Sequence, residues 1–183
     1  MAEMGEKTEN KEKTICVTSA EAAKLLRKLN EELENVLLME QQSREFSAAV
    51  GEDVEDVRPA YDYAQVQKRI EVLETRIRQV KHAISAFNLA QEVPGFDMTI
   101  DQMLVYIPQL SQRKMKLDLM QKRLPKQREK ISYSEIIDYS YANYDIETVR
   151  ADYEKAAEEL SRAQTALDLI NTTAKLEIPV WEE

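Results

Sequence analysis

The chain has 183 residues, room for one domain or two small ones. It holds only 3 Gly and 5 Pro, which argues against a turn-rich β-sandwich or barrel and against glycine-rich phosphate loops. Charged residues make up 32% and the net charge is −9, the wrong sign for a general binder of nucleic acid or anionic membrane.

Residues 1–13 mix Glu3, Glu6, Glu9 and Glu12 with Lys7, Lys11 and Lys13. They have no apolar stretch and are expected to form a disordered charged tail, leaving 14–183 as a single helical domain. Thr14–Thr18 is a β-branched run with Ile15 and Val17 on one face, a candidate strand. Thr18 and Glu21 have capping-box spacing, so a helix starts near Ala20. Its stripe is Ala22, Leu26, Leu29, Leu33 and Val36, and it decays after Met39. Residues 51–60, with Glu52, Asp53, Glu55, Asp56 and Pro59, read as an exposed acidic loop.

The second helix gives the clearest pattern. Val66, Ile70, Leu73, Ile77, Val80, Ile84 and Phe87 step by four and three without a miss, a continuous a/d seam. Asp62 stands at its start and Pro94-Gly95 close it, so a helix over about 63–90 would be roughly 40 Å long. Thr99 and Gln102 repeat the capping-box spacing and open a third helix. Met103, Ile107, Leu110, Leu117, Met120 and Leu124 form its looser stripe, with a kink or restart expected at Pro108. From Ile131 to Tyr141 the period falls to two, which predicts a strand with its serines on the wet face. A fourth helix from near Asp145 carries Val149, Tyr153, Ala156, Leu160, Ala163, Leu167 and Ile170. Leu176, Ile178 and Val180 then suggest a last strand over 175–180. The 131–141 and 175–180 strands have two possible partners, each other through a parallel crossover or the 14–18 strand; pairing between subunits is a further option.

This order of elements, with Tyr133-Ser134-Glu135-Ile136 and the 163–176 run from Ala163 through Asn171-Thr172-Thr173 to Leu176, resembles a family of uncharacterised bacterial helical proteins, some labelled septicolysin. The similarity covers roughly 18–178 and is closest over 131–176. It implies a helical-hairpin or coiled-coil fold and oligomerisation, and no activity; nothing in these residues supports pore formation.

Catalytic chemistry has little to stand on. A di-iron carboxylate site needs two Glu-x-x-His pairs, and the chain has one histidine, His82, with Gln at position 79. A Cys16–His82 couple lacks any supporting motif, so His82 is read as a rim histidine and Cys16 as a small core thiol. The lone cysteine implies no oxidising compartment, and no run of about 18 apolar residues would span a bilayer. The acidic loop lacks the alternating oxygen ligands and central Gly of a calcium loop and is read as solvated. No catalytic, cofactor-binding or metal residues are assigned.

The most distinctive charge feature lies between Arg113 and Lys130. Arg113, Lys114, Lys116, Lys122, Arg123, Lys126, Arg128 and Lys130 face only Asp118 and Glu129, a local excess of six positive charges. It is a candidate docking surface for an acidic partner or nucleic acid. A match to acidic helices within or between subunits is preferred, because Tyr133 is the one aromatic nearby in sequence for base stacking. Tyr133, Tyr139, Tyr141 and Tyr144 are read as strand packing rather than a ligand platform.

The expectation is therefore a mainly α protein, a long-helix antiparallel bundle or coiled coil with a small β element. The seam of Val66, Ile70, Leu73, Ile77, Val80, Ile84, Phe87, Val149, Tyr153, Leu160, Leu167 and Ile170 forms its core or its subunit contact. The expected function is that of a non-enzymatic, cytoplasmic interaction protein: a homo-oligomer that binds an unidentified protein partner, without cofactor or membrane. The alternatives are a divalent-metal carboxylate enzyme and a nucleic-acid accessory factor using the basic 113–130 segment, and the charge balance disfavours nucleic acid.

Overall fold

The structure is a computed structural model that describes residues 13–128 and 138–181. The chain is mainly α-helical with short antiparallel strands. In chain order the elements are β1 (Thr14–Thr18), α1 (Ser19–Ser43), α2 (Val54–Val57), α3 (Tyr63–Ala90), β2 (Glu92–Val93), β3 (Met98–Thr99), α4 (Ile100–Gln121), β4 (Lys126–Arg128), β5 (Tyr139–Tyr141), α5 (Ile146–Thr173) and β6 (Lys175–Pro179). They divide into two compact units, Met1–Phe87 with Asn171–Glu183, and Asn88–Ile170.

In the first unit α1 and α3 lie antiparallel. Leu29 of α1 packs with Leu73, Ile77 and Val80 of α3, while Ala22, earlier in α1, shares a cluster with Ala83, Ile84 and Phe87, later in α3. Polar pairs follow the same inverse order: Arg69 donates to Glu32, and Gln67 donates to Glu40 at 2.6 Å. The α3 seam is thus closed by α1 of the same chain, and Leu73 and Val80 are fully buried. Of the two roles expected for the seam, core or subunit contact, Leu73, Ile77 and Val80 take the first, because α1 supplies the facing apolar stripe.

Thr18 caps α1 as its sequence implies. Its hydroxyl accepts from the Glu21 N–H at 3.2 Å and the Glu21 carboxylate accepts from the Thr18 N–H at 2.8 Å. The Thr18 N–H, and after it the Thr18 hydroxyl that donates to the same carboxylate at 3.0 Å, hold the Glu21 carboxyl below its ordinary range. β1 pairs antiparallel with β6, setting Ile15 opposite Ile178 and Val17 opposite Leu176. Leu176 and Ile178 are buried against Ala22 and Val17. Cys16 alternates to the opposite face and is exposed, so it is not a core thiol. Trp181 closes the α1–α3 core: its indole N–H donates to Gln79 at 2.6 Å, and the Arg76 guanidinium lies 5.4 Å from its ring centre. The acidic loop contains the single turn α2, capped by Asp53, which accepts from the Glu55 N–H at 2.9 Å.

The second unit is built on α4 and α5, also antiparallel. Tyr106 donates to Glu159, whereas Tyr144, just before α5, donates to the Met120 carbonyl at 3.0 Å near the end of α4. Met103, Leu110, Val149, Ala156, Leu160, Ala163, Leu167 and Ile170 are buried. Thr99 and Gln102 make the expected capping box. Three expectations are corrected here. Pro94 and Gly95 do not themselves end α3; they form the turn of the β2–β3 hairpin, where Gly95 has φ 82°. Pro108 does not restart the helix, since α4 runs unbroken from Ile100 to Gln121. Pro108 and Leu104 are both exposed, so water can reach the Leu104 carbonyl that has no N–H to accept from.

The third correction concerns the strands. β5 does not pair with β6 through a parallel crossover; it pairs antiparallel with β4, which was not expected as a strand, while β6 takes β1, one of its two expected partners. β4 and β5 are close in sequence, and pairing segments near each other in the chain loses less chain entropy than pairing across a whole helix. Residues 131–137 of the expected strand, including Tyr133, lie outside the described residues.

Candidate interaction surface

The basic segment occupies the end of α4, the turn after it and β4. Lys122 is the one patch residue paired with a carboxylate among the described residues, donating to Asp118 at 2.6 Å. That bond, with Gln121 adding another, keeps the Asp118 carboxyl below its usual range and raises Lys122. Arg113, Lys116, Arg123, Lys126 and Arg128 are exposed and Lys114 is half-buried. The internal match to acidic helices is therefore not found among the described residues, and Lys130 lies outside them.

The β4–β5 register assembles a surface that the linear sequence hides. Lys126 stands opposite Tyr141 and Arg128 opposite Tyr139, so all four side chains share one face; Gln127 and Ser140 share the other. The Lys126 ammonium lies 4.1 Å from the Tyr139 ring centre and 5.5 Å from that of Tyr141. Tyr139 and Tyr141 are exposed while Ser140 is half-buried, its hydroxyl 3.5 Å from the Arg123 guanidinium that donates to it. The expected orientation is thus reversed, with the tyrosines on the wet face. No helix of this unit covers that face of the ribbon among the described residues; the Lys126 side chain lies over the rings.

Beside the ribbon is a groove of about 540 Å³ lined by Lys122, Arg123, Tyr144, Asp145, Glu147 and Arg150, among others. Asp145 caps α5, accepting from the Thr148 N–H at 3.1 Å and from the Thr148 hydroxyl. That hydroxyl contributes most to holding the Asp145 carboxyl down. Arg150 is paired with Glu147 at 2.8 Å, so the groove's charges are largely satisfied and its cationic wall is Lys122 and Arg123.

The outward face of α4 was missed by sequence reasoning. Leu104, Val105, Met115 and Leu119 are 50%, 58%, 64% and 68% exposed, on the side away from buried Met103 and Leu110. The signal lies in the sequence: Leu104, Pro108, Met115 and Leu119 step by four, seven and four beside the Met103–Leu124 stripe. His82 is exposed, as a rim position would be, and no cluster of three or more His, Cys, Asp or Glu suited to a metal occurs among the described residues. No helix among the described residues is long and apolar enough to cross a membrane.

No family model and no curated protein matches the chain. Among solved structures, it is similar to a functionally unknown conserved protein from Corynebacterium diphtheriae. The TM-score is 0.58 and the identity 18%, over 88% of this chain and 99% of that one. At that identity the likeness is one of fold.

Proposed function

We propose that the chain is a non-catalytic helical interaction protein of the cytoplasm, working as a homo-oligomer and docking an acidic protein partner on the cationic and aromatic face of the β4–β5 ribbon. The observation that carries this reading is the register that lines up Lys126, Arg128, Tyr139 and Tyr141. In a chain of net charge −9, such a face attracts anions locally while the remaining surface repels them. The tyrosines add apolar contact area at little entropic cost, which suits them to an interface. A lone exposed thiol, Cys16, fits a reducing compartment.

A second reading, single-stranded nucleic acid as the partner, is favoured by the same two tyrosines, since exposed rings beside cations form a base-stacking platform. Anisotropy with labelled polyglutamate and labelled oligothymidylate separates the two. The first reading expects salt-sensitive polyglutamate binding that Lys126→Glu/Arg128→Glu weakens at least about tenfold, or about 1.4 kcal/mol. Oligothymidylate bound more tightly, with loss on Tyr139→Ala, would move the assignment to nucleic acid. Binding of neither probe would refute the docking surface.

A further inference from the structure

The outward stripe of α4 sets apolar against apolar and acid against base about its midpoint. About a point between Ser111 and Gln112, Leu104 mirrors Leu119, Pro108 mirrors Met115, and Asp101 mirrors Lys122. All eight of these side chains are exposed, and they lie on one side of the helix at successive near-whole turns. An antiparallel copy of the same helix, related by a two-fold axis through that point, would set each leucine against a leucine of its partner. Each Met115 would then meet the other copy's Pro108, and each Asp101 the other copy's Lys122.

We infer that α4 is an isologous homodimer contact whose two-fold axis passes between Ser111 and Gln112, an inference that rests on the homo-oligomer reading above. The occupant is a second copy because the stripe is self-complementary in both shape and charge, as a two-fold interface requires. Small Ser111 at the crossing point lets the two backbones approach, while the bulky residues pack at either end. Lys122 already donates to Asp118, and the opposing Asp101 supplies a second acceptor that relieves the cationic end of the helix. No residue of the β4–β5 ribbon belongs to the stripe. One pair of 22-residue helices gives an interface at the small end of the specific range, so the dimer should be concentration-dependent. The α3 seam cannot serve this role at Leu73, Ile77 and Val80, which α1 already covers.

Site-directed crosslinking in a Cys16→Ser background tests the register. On mild oxidation Ser111→Cys should give a covalent dimer in high yield, because its symmetric mate lies at the axis within disulfide reach. Lys116→Cys is equally exposed, but its mate would sit about 13 Å further along the axis, so it should stay monomeric on a denaturing gel. Leu104→Cys mixed with Leu119→Cys should crosslink, and neither alone should. Leu119→Glu should abolish the dimer in light scattering with its helical circular dichroism intact. An oligomer in light scattering in which Ser111→Cys fails to crosslink, or Lys116→Cys crosslinks as well, overturns this interface and leaves the oligomer reading standing. A monomer at all concentrations overturns both.

Discussion

Replacing Leu73 with Ala tests the packing of the first unit at its most enclosed point. The side chain is fully buried among Leu29, Ile77 and Val80, so the lost atoms leave a hole that the two long helices fill only in part. Losing three carbons costs about 2.4 kcal/mol of transfer free energy at ~0.8 kcal/mol each. Incomplete relaxation around the cavity raises this to about 3–4 kcal/mol. For a chain of this size that corresponds to a fall in melting temperature of roughly 10 °C. Leu38→Ala is the matched control on α1, because Leu38 is 51% exposed and its truncation should stay within about 0.5 kcal/mol. Urea unfolding followed by circular dichroism, with the slope of each transition checked, measures both. Equal losses for the two variants, or less than about 1 kcal/mol for Leu73→Ala, would refute the α1–α3 packing.

Other consequences follow from the helix ends and from Pro108. Thr18→Ala removes the cap of α1 and should destabilise the protein by about 1 kcal/mol in the same urea experiment; no change would mean the cap is not formed. Glu21 and Asp145 both have carboxyls held down by hydrogen bonds to Thr18 and Thr148. Their stabilisation is therefore complete above the carboxylate range of the unfolded chain and is lost as pH falls through the lower folded value. Glu21→Gln keeps a capping box, as Gln102 does at Thr99, so its deficit against the wild type should shrink toward zero in acid; a deficit that grows in acid would contradict the assignment. Pro108→Ala restores a backbone donor within an unbroken helix and should stabilise the protein by about 1–3 kcal/mol, read as a higher melting temperature. A melting temperature that stays level or falls would show that α4 depends on the proline.

The long helices were legible because their apolar spacing persists over many turns. Residues 63–90 were read from the seam between Val66 and Phe87, and the structure has α3 over that range. Thr18 and Thr99 announced their helices through side-chain chemistry that acts within four residues. Features that depend on neighbours distant in sequence were hidden. Lys126-Gln127-Arg128 has no apolar alternation, so β4 looked like a charge run; only its partner β5 makes it a strand. Period two gave the alternation of Tyr139, Ser140 and Tyr141 but not which face met water, since that is decided by what covers the ribbon. Cys16 failed for the same reason: its register opposite Glu177 turns it outward. On α4 the apolar residues exceed what one face can hold, so a single stripe leaves Leu104, Met115 and Leu119 outside it.

If one face of the β4–β5 ribbon, and not its charge alone, makes the docking surface, two neighbouring substitutions of equal charge must differ in effect. Lys126→Gln and Gln127→Glu each change the net charge by −1 at adjacent positions, on opposite faces. Their affinities for labelled polyglutamate, measured by anisotropy at one fixed salt concentration, compare the two directly. Lys126→Gln should lose several-fold and Gln127→Glu about twofold or less. Equal losses would show a diffuse charge effect and contradict a surface built by strand register.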